Sequence, residues 1–310
     1  MCKWRYFCVN LQFRSPDQSD QNLAQPRPMQ LAKVSYRSPQ VGKAIAQSLQ
    51  QTGFAILCDH EIPVETIQFV YQEWRSFFAS AAKHDYLHDI HETNSQAGYF
   101  PMLAEHAKDY GIADLKEFFH VYQRQDLPTQ ISHHTWQLFN DLLNLAKEIL
   151  GWIEIDTPQV FPDQLESLQQ MIAHSPNHLL RILHYPPLTG SEQIGAVRAA
   201  AHQDINLITL LPAATHNGLQ VQDLEGHWYE VPCCLGEIVI NVGDMLQVAS
   251  GGYYRSTTHR VVNPIGLETG RSRYSMPLFL HAHPASIIST TGLTAGTYLA
   301  ERLQQIGILG

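Results

Sequence analysis

Ala201-His202-Gln203-Asp204 opens the stretch that decides how this chain reads, and Ser256-Thr257-Thr258-His259-Arg260-Val261-Val262-Asn263-Pro264 and Arg273-Tyr274-Ser275 close it. Two histidines and one carboxylate are the side chains that hold a ferrous ion on one face and leave its other positions open. His202 and Asp204 are two residues apart, so an extended backbone projects both to the same side. His259 follows about 55 residues after Asp204, the separation expected if a sheet folds back to bring a third ligand alongside. Arg273 and Ser275 repeat the two-residue spacing. They set a guanidinium and a hydroxyl on one face, a grip suited to a carboxylate.

Working outward, further pieces fall in a fixed order: Arg181-Ile-Leu-His-Tyr185-Pro-Pro before the first ligand, then Gly218-Leu-Gln-Val and Gly236-Glu-Ile-Val-Ile-Asn-Val-Gly243-Asp244 between the second and third. Each is weak alone. Together, over roughly residues 178 to 285, they resemble the iron(II)/2-oxoglutarate-dependent dioxygenases, in the branch that includes isopenicillin N synthase. A fainter similarity runs back to about residue 31, through Thr52-Gly-Phe and His60-Glu-Ile-Pro63. Glu61 stands there where the family commonly has glycine, and a positive φ at that position would strain it.

The resemblance implies a fold that is mainly β with flanking helices, a distorted jelly roll or double-stranded β-helix. It implies Fe(II) at His202, Asp204 and His259, with no catalytic residue beyond the metal centre. 2-Oxoglutarate is implied as co-substrate, its far carboxylate on Arg273 and Ser275, with Tyr185 reaching the same molecule. Arg271 shares the face of Arg273 by parity, but the Arg-Tyr-Ser order favours Arg273. Many relatives carry an asparagine two residues before Tyr185; here that position is Leu183, so its polar contact to the keto acid is lost. The implied chemistry is activation of O2, decarboxylation of 2-oxoglutarate to succinate, and hydroxylation, desaturation or cyclisation of a small organic molecule.

Composition narrows the field. The formal charge is −9 with only 20 Lys and Arg, which argues against a nucleic-acid partner, since that needs a basic footprint. A hydrophobic share of 44% is ample for a soluble core. Cys2, Cys8, Cys58, Cys233 and Cys234 are odd in number and include an adjacent pair, so no disulfide framework is expected and a reducing cytoplasm fits best. The run from Trp4 to Phe13 is too short and too polar to span a membrane. Oligomeric state is not legible.

Residues 1–30 read as a flexible tail, polar around Ser15 to Asn22 and proline-broken at Pro26 and Pro28. Residues 31–175 form a helical and mixed region. It has a strand over 32–36, a helix with Val41, Ile45 and Leu49 on one stripe and Gly53 at its end, and a strand over 54–58. A long helix follows Pro63, with Ile67, Val70, Tyr71, Trp74 and Phe77 buried. Residues 85–130 read as irregular, 135–150 and 163–172 as helices. The core, 176–285, alternates short apolar runs with turns: 179–185, 205–211, 219–222, 228–231, 238–242, 260–262 and 274–280. A closing helix lies within 286–310. Asn241 to Asp244 reads as a turn supporting the barrel, with Asp244 orienting a ligand as the alternative.

Tyr99, Phe100, Phe119 and Tyr254 are the candidate substrate contacts, and they suggest a mostly apolar ligand. Three rivals remain. A zinc hydrolase could use the same ligands with a water but has no use for Arg273 and Ser275. An oxidase of the isopenicillin N synthase type keeps Arg-x-Ser for its substrate and needs no 2-oxoglutarate. A jelly-roll binding module without catalysis has no need of the intact triad.

Overall fold

The chain enters on strand β1 (Lys33–Ser35) and turns into helix α1 (Val41–Thr52), whose Ile45 and Leu49 are buried. Gly53 ends α1 in the left-handed region at φ 75. It is required there twice over, because a Cβ would also lie 2.1 Å from Thr257 Oγ1 and 2.7 Å from the Arg255 carbonyl. Strand β2 (Phe54–Cys58) follows, then α2 (Val64–Ala79), which buries Ile67, Val70, Tyr71, Trp74 and Phe77. Glu61 does not take a positive φ; Asp59 does, at 58, so the strain expected at the glycine replacement is absent.

This computed structural model describes residues 31–88, 96–107, 110–123, 125–232 and 234–305, so the tail expected over 1–30 lies outside them, as do Cys2, Cys8 and Cys233. The expectation that 85–130 is irregular is corrected. It contains β3 (Gly98–Phe100) and β4 (Glu117–Tyr122), paired antiparallel with Tyr99 opposite Phe119. Buried Glu117 and His120 hid β4, because its polar positions find partners only in the folded chain. Helix α3 (His134–Asp156) is longer than expected and packs on α1 and α2. The helix expected over 163–172 shrinks to α4 (Leu168–Met171), since the Ser167 hydroxyl and the Gln170 amide cap it at Ser167.

The remaining strands are β5 (Leu179–Tyr185), β6 (Ala199–His202), β7 (Ile208–Pro212), β8 (Leu219–Gln222), β9 (Trp228–Glu230) and β10 (Ile238–Val242). Helix α5 (Asp244–Ala249), β11 (His259–Val261), β12 (Arg273–Ser275), β13 (Leu278–Leu280) and α6 (Ala295–Gln305) complete the chain. Among the described residues the strands form two sheets. The larger runs β1-β2-β10-β7-β13-β5-β4-β3, with β12 also on β5; the smaller runs β6-β11-β8-β9. The region before residue 175 extends the larger sheet at both edges, with β1 and β2 at one and β3 and β4 at the other.

Strand alternation sorts the larger sheet into two faces. Leu180, Ile182, Ile238, Ile240, Ala55 and Leu57 face the helices and join their core. Leu183, Tyr185, Val239, Phe54 and Ile56 face the smaller sheet, where they meet Val221, Leu219 and Val261. This jelly roll, mainly β with helices on one side, has its chemistry-bearing residues in the second, inner space. No helix among the described residues is long and apolar enough to cross a membrane.

Candidate metal centre and carboxylate pocket

His202 ends β6 and His259 begins β11, and the two are paired residues of that antiparallel ladder. Asp204 lies just beyond His202. The three offer ligand atoms that all fall within 4.8 Å of one another. Nε2 of His202 is 3.8 Å and Nε2 of His259 is 3.7 Å from the same oxygen, Oδ1 of Asp204.

The atoms behind these three explain their aim. His202 Nδ1 lies 2.8 Å from the Ala200 carbonyl and His259 Nδ1 lies 3.1 Å from the Thr257 carbonyl. A carbonyl only accepts, so each Nδ1 carries the proton and each Nε2 keeps its lone pair for a metal. The other oxygen of Asp204, Oδ2, accepts from Thr209 Oγ1 at 2.6 Å and from Asn241 Nδ2 at 2.8 Å. Thr209 is itself oriented by Asn206 Nδ2 at 2.9 Å. Oδ1 is left to face the histidines. These donors fit a divalent iron: two neutral imidazoles and one carboxylate converging from one side.

Charge follows geometry. Burial pushes Asp204 up, but the two imidazoles and its two hydrogen bonds outweigh this and hold it below the usual carboxylate range. Burial and the neighbouring His259 ring push His202 down to about 4. Acid and base are thus both in the protonation state a metal requires at neutral pH.

The N-terminal region sets the third ligand. Thr257 Oγ1 donates to the Thr52 carbonyl at 2.9 Å, which locks the loop before His259 against the end of α1. Phe54 then packs edge-on against the His259 ring at 5.6 Å. Asp244 holds Asp204 by its backbone N–H, 2.7 Å from the Asp204 carbonyl, while its carboxylate accepts from Tyr298 at 3.2 Å and faces Arg302 in α6. The turn expected at 241–244 is instead a junction between β10 and α5, with Gly243 between them, and it supports the barrel. The side chains orienting the Asp204 carboxylate, however, are Thr209 and Asn241, the latter sharing the inner face with Val239.

A second group of possible ligands, Asp223, Glu225 and His227, sits in the exposed β8–β9 turn. Hydrogen bonds of the turn itself occupy it, from the His227 amide to Asp223 Oδ1 at 2.8 Å and from Tyr229 to Asp223 Oδ2 at 2.9 Å.

Arg273 and Ser275 lie on β12 opposite Tyr185 and Leu183 of β5. All four side chains are buried. Arg273 donates from Nε to the His216 carbonyl at 3.0 Å and from Nη1 to Ser275 Oγ at 3.3 Å, and has no acidic partner among the described residues. It lines a small cavity with His216, Leu211, Leu219 and Val239. A buried guanidinium without a carboxylate is costly unless an anion arrives. Arg271, the alternative by parity, is exposed and pairs with Glu268 at 3.2 Å. Tyr185 packs its ring 5.1 Å from the Arg273 guanidinium carbon, and its hydroxyl takes no hydrogen bond from the described residues.

The candidate substrate residues divide. Phe100 faces the inner space, stacked on Phe118 at 4.7 Å. The other three are corrected. Tyr99 and Phe119 belong to the helix-side core, where Tyr99 donates to Glu117 and Phe119 packs 5.0 Å from Trp74. Tyr254 is wholly buried there and hydrogen-bonded to Thr157 at 2.9 Å. On β4 it is Phe118, not Phe119, that turns inward. The segment carrying it is tied to the barrel by Asp114 Oδ1, which accepts from the Ala200 amide at 2.9 Å. Lys116 bridges Asp114 at 2.8 Å and Glu105 at 2.7 Å, and Glu105 also faces Arg181. Arg198, which the sequence reading did not single out, is buried beside Tyr185.

Two family models match this chain: the 2OG-Fe(II) oxygenase superfamily over residues 176–282, and the N-terminal region of non-haem dioxygenases, described for morphine synthesis, over 29–140. The 2-oxoglutarate-dependent dioxygenase citB of Monascus ruber is 30% identical over 74% of this chain and 74% of its own. The 2-oxoglutarate-Fe(II) type oxidoreductase hxnY of Emericella nidulans is 27% identical over 77% of this chain and 73% of its own. A crystal structure of a protein from Shewanella oneidensis, described only as an oxygenase, is 43% identical, covers 91% of this chain and all (100%) of its own, and has a TM-score of 0.79. A full-length Neurospora crassa protein solved in complex with alpha-KG, 22% identical, shares the fold over 88% of this chain and 95% of its own, with a TM-score of 0.73.

Proposed function

This chain belongs to the 2OG-Fe(II) oxygenase superfamily, and from that premise we propose that His202, Asp204 and His259 hold the iron while Arg273, Ser275 and Tyr185 receive the far carboxylate of 2-oxoglutarate. The enzyme is a 2-oxoglutarate/Fe(II)-dependent dioxygenase acting on a small molecule with O2. Iron bound here supplies oxygen activation coupled to conversion of 2-oxoglutarate to succinate.

The observation that carries the assignment is the pair of locked Nδ1–H groups together with the committed Oδ2 of Asp204. They leave three free donor atoms facing one point. The chain's own work is positional. Backbone carbonyls keep the imidazole tautomers, Thr209 and Asn241 keep the carboxylate from turning, and the inner apolar cluster excludes water. Phe100 and Phe118 belong to the apolar cluster of the inner space, which supports an apolar small-molecule substrate.

Anaerobic titration of Fe(II) and then 2-oxoglutarate, followed by the visible charge-transfer band and by succinate release on adding O2, tests the reading. His202→Ala abolishes iron binding and succinate together. Arg273→Met keeps iron and weakens 2-oxoglutarate by tenfold or more. Unchanged iron affinity in His202→Ala, or unchanged 2-oxoglutarate affinity in Arg273→Met, overturns it.

A further inference from the structure

Arg198 is among the largest wholly buried side chains of the protein, with 2% of its surface exposed. Its Nη2 donates to two backbone carbonyls, Arg271 at 2.8 Å and Pro186 at 3.4 Å, and its Nε is buried without a partner. No carboxylate among the described residues pairs with it. Arg181, on β5, has Glu105 for that purpose. The Arg198 guanidinium carbon lies 6.0 Å from the centre of the Tyr185 ring, the ring that Arg273 approaches at 5.1 Å. Two enclosed cations therefore share one tyrosine, and neither has an acid.

We infer that Arg198 is a second positive charge of the carboxylate end of the pocket, acting with Arg273 on the distal carboxylate of the 2-oxo acid. The inference rests on the assignment of that end to 2-oxoglutarate. Two like charges in one buried region repel, and an anion between or beside them relieves the repulsion. Burial and the nearby Arg273 accordingly push Arg198 down to about 10. An arriving carboxylate reverses that penalty, so the arrangement favours a diacid over a monoacid. Arg198 is a positioning residue here, since its bonds go to the backbone of Pro186, just after the strand of Tyr185, and of Arg271, two residues before Arg273.

Calorimetric titration with Mn(II) in place of iron reads binding without turnover. The ligands are 2-oxoglutarate and 2-oxovalerate, which has a methyl group in place of the distal carboxylate. Arg198→Gln keeps a hydrogen-bond donor and drops the charge; it weakens 2-oxoglutarate by about tenfold, about 1.4 kcal/mol, and leaves 2-oxovalerate within about twofold. Arg198→Lys keeps the charge and stays within about threefold of the parent for both ligands. Equal loss for both ligands in Arg198→Gln means a merely structural role and overturns the inference, as does unchanged 2-oxoglutarate affinity. If Arg273→Met also fails to discriminate the two ligands, the assignment of the pocket fails first. If Arg273→Met discriminates them and Arg198→Gln does not, only the role of Arg198 falls.

Discussion

His202 and His259 are directly opposed on neighbouring antiparallel strands, with ring centroids 4.4 Å apart. The register of one short ladder therefore sets two of the three ligand positions. The third, Asp204, is not on a strand, and its direction depends on Thr209 and Asn241. Thr209→Val and Asn241→Leu, each close in size, each remove one of the two hydrogen bonds that hold Oδ2. Each should weaken Fe(II) binding by about 10- to 100-fold while 2-oxoglutarate still meets Arg273. Competition with a metal indicator dye measures this; parental affinity in both variants would show that the carboxylate is held by something else.

Gly243 sits against the same loop from below. A Cβ there would lie 2.1 Å from the Asn206 carbonyl and 2.2 Å from Asn206 Oδ1, and the first of these is backbone that cannot swing away. Gly243→Ala should displace the segment bearing Asp204, lowering iron affinity at least as far as Asn241→Leu and lowering the unfolding temperature by several degrees. Thermal unfolding with and without Mn(II) reads both effects.

Neighbouring phenylalanines on β4 should behave oppositely. Phe119 is packed into the helix-side core, so Phe119→Ala should cost about 3–5 kcal/mol of stability and leave the substrate profile unchanged. Phe118 faces the inner space beside Phe100, so Phe118→Ala should change relative rates across a panel of apolar substrates more than it changes stability. Denaturant unfolding and competition assays on both variants decide the point. A selectivity change confined to Phe119→Ala would mean the register has been misread.

Acid should destabilise the protein through His178, away from the iron. Burial pushes this imidazole down to about 4, and its Nε2 lies 3.0 Å from the Ile172 carbonyl. The unfolded chain takes up that proton near the ordinary histidine value, about 6.5. A lowered folded value means the stabilisation is fully present above about 6.5 and is lost as pH falls towards 4. The loss is at most on the order of 3 kcal/mol. Urea midpoints at pH 7 and pH 5 should therefore lie closer together in His178→Gln than in the parent, the remaining gap belonging to His60, His120, His202 and His281, which burial also pushes down. An unchanged gap would assign the acid sensitivity to those groups alone.

Local chemistry in the sequence was enough for the triad, the Arg-x-Ser pair and most strands, because residue type and two-residue spacing survive folding unchanged. Strand β6 escaped notice because Ala199-Ala200-Ala201 has little β preference of its own and is extended only by pairing with β11. Strand β4 escaped because Glu117 and His120 look solvent-facing until Tyr99, Lys83, His184 and Arg181 surround them.

By itself the sequence determined which side chains are candidates to bind a ferrous ion and a keto acid, and in what order along the chain they come. Tertiary structure alone decided which neighbours aim them: Asn241 on Asp204, Phe118 rather than Phe119 at the inner face, and Arg198 beside Tyr185. The reason is that a shift of one residue in strand register turns every side chain to the opposite face, and that register is fixed by packing between strands far apart in the chain.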